Sequence, residues 1–182
     1  MKIGVFTVTD NTAALRASIK ALGGNQVLVG FPGDTADRGE PINNPTLGYI
    51  HENGAPGANI PARPFLRPGI ASIQPAITER LRAAALLVLE GKPAEVNKAL
   101  KAVGKMGVNA AQARLTDGPH APLSPRTRRK RDRALAKKIR AAKTADARAR
   151  LQAQLDTQLA DRSPLIDTGA LRRAINYVVR KR

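Results

Sequence analysis

The residues most suited to chemistry in this sequence are His51 and Glu52, which stand side by side ahead of a stretch rich in Gly and Pro. A helical zinc-protease motif needs a second histidine four residues after the first, so that both imidazoles face one metal ion. That position holds Ala55, and the other histidine, His120, stands in a proline-rich stretch. The pair therefore predicts no metal site, and an exposed or helix-capping His51 is the favoured alternative.

Other catalytic patterns fail on residue type or context. The chain has no cysteine, which excludes disulfides, thiolate metal sites and cysteine nucleophiles. Its glycines match neither the P-loop nor the dinucleotide-binding pattern. Asp34, Asp37 and Glu40 stand in a polar stretch expected to be an exposed loop, where solvation leaves carboxylates ordinary. Ser124 near His120 lacks the G-x-S-x-G context of a hydrolase. We therefore expect no enzyme activity and no cofactor.

Charge is the strongest signal in the composition. The 182 residues include 31 Lys and Arg against 14 Asp and Glu, a formal charge of +17. Such an excess attracts nucleic acid, an acidic protein surface or an anionic membrane. The longest apolar run, Ala83 to Leu89, is far shorter than the roughly 18 residues of a membrane span, so no membrane partner is expected. Met1 to Asp10 does not match a signal peptide, and the absence of cysteine fits an intracellular site of synthesis.

The apolar pattern predicts an α+β fold, in which a small mixed or antiparallel β-sheet packs against two or more long helices and a basic helical arm is attached. We expect one α/β core domain made of residues 1–131 and 164–182, with 132–163 as a helical basic extension or insertion. Gly104 and Gly107 are expected to weaken the helix that contains them. Strands are predicted at 2–8, 26–31 and 177–179, and helices at 11–22, 47–53, 75–91, from 93 onward and at 126–150.

Three prolines are expected to stiffen the stretch 59–67. Pro61, Pro64 and Pro68 fix their own φ angles and hold the preceding residues extended. Gly54 is suited to end the preceding short helix with a positive φ. We therefore expect a rigid, non-helical segment from 59 to 67, here called the strap.

The strap combines guanidinium groups with apolar side chains, a mixture that is enriched at protein interfaces. Arg63 and Arg67 flank Phe65 and Leu66. Together with Tyr49, these residues are the candidate subunit or partner interface. The alternative is that Phe65 and Leu66 fill the core of their own chain while both arginines stay in solvent.

The segment 126–150 contains twelve basic residues against two acidic ones, Asp132 and Asp146, and consists mainly of helix formers. No interleaved aromatic residues or groove-reading motif are present, so sequence-specific recognition is not expected. The basic face is a candidate contact for phosphates or for an acidic partner, and a solvated helix face is the alternative. The candidate contact residues are Arg126, Arg128, Arg129, Lys130, Arg131, Arg133, Lys137, Lys138 and Arg140.

Three stretches resemble, in the same order, motifs of the neck and tail-completion proteins of long-tailed phages, the Mu-type virion-morphogenesis group included. They are LGYIHENGAPGANIPARPFLRPGI at 47–70, APLSPRTRRKR at 121–131 and PLIDTGALRRAI at 164–175. Two departures from the family pattern stand out. The second and third motifs lie close together in the family, whereas here 132–163 separates them, and Asn53 stands where the family often has an aromatic residue.

The resemblance implies a small α/β virion protein without catalysis, which forms a closed ring between the head connector and the tail tube. A hexamer is expected because tail tubes are six-fold, with a dodecamer as the alternative. The implied partners are the chain itself, head–tail connector or adaptor proteins, tail tube or terminator proteins, and transiently phage DNA. The implied location is the neck of the virion, after synthesis in the host cytoplasm. Two other functions stay open: a tail terminator that controls tail length, and a non-specific nucleic-acid-binding protein that uses the basic helix 126–150.

Overall fold

The structure, a computed structural model, describes residues 12–33, 42–90, 92, 94–161, 164–166 and 169–181. This part of the chain is mostly helical and contains a two-stranded antiparallel sheet, so the predicted α+β class is confirmed. The predicted strand 2–8 lies outside the described residues, as do Asp167 and Thr168, whose residue types suit the start of a helix. In chain order the elements are α1 Thr12–Gly23, β1 Asn25–Gly30, α2 Asn44–Asn53, α3 Leu66–Ser72, α4 Gln74–Leu89, α5 Ala94–Asp117, α6 Pro125–Ala141, α7 Ala145–Asp161, α8 Ala170–Ala174 and β2 Asn176–Lys181.

The sheet consists of β1 and β2, which pair antiparallel along all six residues of each strand. Successive side chains of a strand point to opposite faces. In β1, Val27 and Val29 accordingly pack against the hydrophobic core, whereas Gln26 and Leu28 are exposed. The apolar run that predicted this strand therefore has one face on the core and one toward solvent.

Helix α5 is the element against which most of the fold packs, since it contacts α3, α4, β1 and β2. Gly104 and Gly107 do not interrupt it; both are buried on its sheet-facing side. A Cβ atom at Gly104 would overlap the ring of Tyr177, and one at Gly107 would lie 2.8 Å from Cγ2 of Val29. The two glycines let the sheet approach the helix closely, a role in packing that helix propensity alone did not indicate.

The core consists of two clusters of buried side chains, and each cluster includes residues of α5. In the first, the ring of Phe31 meets that of Phe65 edge-on, with 6.3 Å between centroids and 68° between planes. Aromatic side chains supply large buried areas and such pairs add further stabilisation. The first cluster contains Phe65, Ala111, Leu115, Leu165, Leu171 and Ile175, and the second contains Val88, Val96 and Leu100.

The predicted single helix 126–150 is wrong, because the segment forms two helices, α6 and α7, that pack on each other. The chain is extended at Ala142, and the Thr144 hydroxyl accepts a hydrogen bond from the backbone N–H of Ala147 at 3.2 Å. Thr is a favoured residue at the start of a helix, and Asp146 in the first turn of α7 suits the helix dipole. The basic segment is therefore a helical hairpin, and the domain boundary expected at residue 132 falls inside α6.

Candidate interface around the proline-rich strap

The carboxylate of Glu52 holds the end of the strap. Its Oε2 atom accepts hydrogen bonds from the backbone N–H groups of Phe65 at 2.8 Å and Leu66 at 2.9 Å, and Oε1 accepts one from that of Arg67 at 3.0 Å. The first N–H groups of a helix lack acceptors within the helix, and a carboxylate there also interacts well with the helix dipole. Glu52, with a side chain only 8% exposed, therefore starts α3 at Leu66. The expectation that the strap stays non-helical to Arg67 is wrong for this reason.

The turn before the strap folds the chain back onto the end of α2. Gly54 has the expected positive φ, 78°, and a Cβ atom there would lie 2.9 Å from a backbone nitrogen of the strap. Ala55 and Ile60 exchange two backbone hydrogen bonds of 2.9 and 3.1 Å. The carbonyl oxygen of His51 then accepts a hydrogen bond from the backbone N–H of Arg63 at 2.7 Å. Backbone hydrogen bonds thus hold the strap in place independently of its side chains.

Arg63 joins the strap to the segment 121–131. Its side chain donates through Nε to the carbonyl oxygen of Ala121 at 2.7 Å and through Nη2 to that of Pro122 at 3.0 Å. Arg63 is buried, and this burial, with a smaller contribution from the cation of Arg131, lowers its pKa below the ordinary value. Two carbonyl acceptors offset the cost of burying the charge. Arg63 is therefore neither solvated nor available to a partner, contrary to both expectations.

Arg131 joins the second motif to the third through hydrogen bonds to backbone carbonyl oxygens, as Arg63 joins the first to the second. Its Nη1 atom donates to the carbonyl oxygen of Ile166 at 3.2 Å and lies 3.5 Å from that of Pro164. Arg131 is half-buried, whereas the other eight candidate phosphate-contact residues are exposed on α6. Arg131 therefore attaches the start of α6 to the core.

The remaining candidate interface residues divide between core and surface. Phe65 is fully buried, and Leu66 packs against the same cluster. Phe65 therefore offers no surface to a neighbour and fills the core of its own chain, which was the alternative expectation. Tyr49 is 69% exposed. The Arg67 side chain is also exposed and donates from Nη2 to Oδ1 of Asn53 at 2.8 Å.

The three motif stretches, 47–70, 121–131 and 164–175, meet in space at what we call the motif junction. Arg63 connects the first stretch to the second, and Arg131 connects the second to the third. Phe65 connects the first to the third, since its core cluster includes side chains of 164–175. Sequence reasoning missed the roles of Glu52, Arg63 and Arg131 here, because nothing local marks a buried arginine or a carboxylate that caps a helix 13 residues away.

The charged groups of the motif junction have a structural role, because the carboxylate of Glu52 and the guanidinium groups of Arg63 and Arg131 form hydrogen bonds with backbone atoms. Within the described ranges, no three His, Cys, Asp or Glu side chains are grouped so as to hold a metal ion. In the same ranges no helix has the length and apolar character needed to cross a membrane. Comparisons with protein families, with curated proteins and with solved structures gave no match for this chain.

Proposed function

We propose that this protein is a structural virion protein of a tailed phage, a ring-forming neck or tail-completion subunit that joins the head connector to the tail. One observation carries the proposal: the three stretches that resemble motifs of that group meet at the motif junction, although up to about 90 residues separate them. The three segments pack in one core and therefore form a single structural unit. A resemblance in all three segments is thus a resemblance of that unit.

The strap suits a docking element because it is already ordered in the single chain. Glu52, Arg63 and the backbone of His51 hold it in one conformation. A preorganised segment loses little conformational entropy when it binds. Arg67 at the end of the strap and Tyr49 on α2 are both exposed, and they remain to contact another subunit.

A ring of identical subunits also needs two different contact surfaces, because each subunit meets its neighbours head to tail. Among the exposed large apolar side chains, Tyr49 stands on α2 and Leu86 and Leu89 stand on α4, so two separate elements can supply them. Exposed apolar groups of this kind are common at sites of protein association. We propose that α2 with the strap and the outer side of α4 supply these two surfaces.

The oligomeric state tests the ring. Light scattering coupled to size-exclusion chromatography is expected to give a hexamer, or a dodecamer, and negative-stain images are expected to show closed rings. Tyr49→Ala should weaken association, whereas Thr46→Ala, an exposed position one turn earlier on α2, should leave it unchanged. A chain that remains monomeric at every concentration contradicts the proposal.

Particles made without the protein test its place in assembly. If it joins head and tail, tail-less heads should accumulate beside finished tails. Tails of uncontrolled length would instead favour the tail-terminator alternative. Normal, infectious particles would contradict both functions.

A further inference from the structure

Six basic side chains form one row along α6, here called the basic row: Arg126, Arg129, Lys130, Arg133, Lys137 and Arg140. With 3.6 residues per turn, these positions fall within an arc of about 100° around the helix axis. The buried residue of the helix, Leu135, lies on the opposite side of the axis. All six side chains are exposed. The row therefore points away from the rest of the protein.

The basic row faces no opposing charge among the residues that the structure describes. Every residue of α6 that falls in this arc is basic, and Asp132 lies on a flank of the helix and is half-buried. In the part of the chain that the structure describes, none of the six side chains forms an ion pair or a hydrogen bond. Like charges held in a row repel each other, which favours binding of a polyanion.

We infer that the basic row binds the phosphate backbone of double-stranded DNA. A protein partner is disfavoured because protein interfaces centre on buried apolar or aromatic anchors, and the row contains none. Single strands are disfavoured because their bases stack on aromatic side chains, which α6 lacks. B-form DNA has a major groove about 12 Å wide that admits a helix, whereas the major groove of A-form RNA is too narrow for side chains to enter.

The length of the row matches the spacing of phosphates. From Arg126 to Arg140 the helix rises by about 21 Å, at 1.5 Å per residue. Duplex DNA carries one charge per about 1.7 Å of axis, so about twelve phosphates lie along this length. Six side chains therefore have enough phosphates within reach on both rims of the groove. The hydrogen bonds of Arg131 to the segment 164–166 hold the start of α6, and with it the row, to the core.

Binding to a labelled random-sequence duplex, followed by fluorescence anisotropy at several salt concentrations, tests the inference. Six phosphate contacts predict a slope of about −5 in a plot of log affinity against log salt concentration, with about a thousandfold loss between 50 and 200 mM salt. A slope between 0 and −1 would overturn the inference. This measurement of DNA affinity does not require a ring. A monomer that binds duplex DNA with the expected salt dependence would contradict the proposed ring and would support the basic row as a DNA-binding surface.

A pair of matched variants separates the row from overall charge. The triple variant Arg129→Gln, Arg133→Gln, Lys137→Gln should bind at least tenfold more weakly at low salt, with a slope smaller in magnitude by about 3. The control Arg128→Gln, Lys138→Gln, Lys143→Gln removes the same charge from exposed positions off the row and should change the slope by less than about 1. Equal losses in the two variants would show that only net charge matters, and would overturn the inference.

Two competitors test the choice of partner. An A-form RNA duplex should bind more weakly than DNA, and equal affinity would contradict placement in the major groove. Poly-glutamate should also bind more weakly. If it bound more tightly than the duplex and lost affinity in the row variant alone, the row would belong to an acidic protein partner instead.

Discussion

Glu52 accepts a hydrogen bond on Oε2 from the backbone N–H of Phe65, at 2.8 Å and across 13 residues of sequence. This bond connects the end of α2 to the start of α3, which in turn packs against α5. The N–H groups of Leu66 and Arg67 share the same carboxylate. The acid that invites a catalytic interpretation in the sequence is therefore a helix cap, and it helps to place Phe65 in the core.

Removal of this carboxylate should destabilise the protein. Glu52→Ala is expected to lower the free energy of unfolding by about 3 kcal/mol, because hydrogen bonds to charged groups contribute about 1.5–3 kcal/mol and three N–H groups lose their acceptor. Glu52→Gln keeps one acceptor oxygen and should lose less. Urea unfolding measures both, with the slope m unchanged. Glu79→Ala, at a largely exposed ion pair, should stay within about 0.5 kcal/mol of the parent protein, and an equal effect at both sites would contradict the cap.

Two aromatic residues of the first motif should behave in opposite ways. Phe65→Ala is expected to lower the free energy of unfolding by about 3–5 kcal/mol, since it empties a fully buried site in the core. Tyr49→Ala should change monomer stability by no more than about 0.5 kcal/mol, because Tyr49 is exposed. Urea unfolding, at a protein concentration below that needed for association, would measure both changes in the free energy of unfolding. A small change in the free energy of unfolding for Phe65→Ala would contradict the core position and favour a role of Phe65 at the partner interface.

Gly104 should resist replacement by Ala even though Ala is the better helix former. The added Cβ overlaps the ring of Tyr177, and such overpacking costs about 1–3 kcal/mol, more than the gain of about 1 kcal/mol in helix propensity. In a Tyr177→Ala background the ring is gone, so Gly104→Ala should become neutral or stabilising. Thermal unfolding of the four proteins of this cycle measures the difference. A Gly104→Ala variant as stable as the parent would contradict the close packing of α5 on β2.

The hairpin should be removable without loss of the core. Because Arg131 contacts the backbone at Pro164 and Ile166, a short Gly-Ser linker can replace 132–163 and span the gap. The shortened chain is expected to keep a cooperative thermal transition by circular dichroism, with lower helix content. It should also bind duplex DNA more weakly, since half of the basic row is lost. A chain without a cooperative transition would place the hairpin inside the core domain.

Elements that depend on neighbouring residues could be predicted from the sequence. The apolar run of β1 and the helical spacing of α4 predict these two elements within a few residues of their observed ends. Ser124 followed by Pro125 marks the start of α6, where the Ser124 hydroxyl accepts a hydrogen bond from the N–H of Thr127 at 3.2 Å. Strand alternation, helix periodicity and capping act over one or two turns, so the local sequence is sufficient for them.

The roles of the site residues could not be predicted in the same way. Whether Phe65 points inward depends on the cluster that 164–175 completes, and the two acceptors of Arg63 lie 58 and 59 residues away in the sequence. A hydrogen bond or an apolar contact acts only over a few ångströms, so its partners are unknown until the chain has folded. The sequence alone determined the net charge, the proline-stiffened part of the strap and local elements such as β1 and α4. The tertiary structure decided that Glu52 caps α3, that Arg63 and Phe65 face inward, and that the basic row faces out.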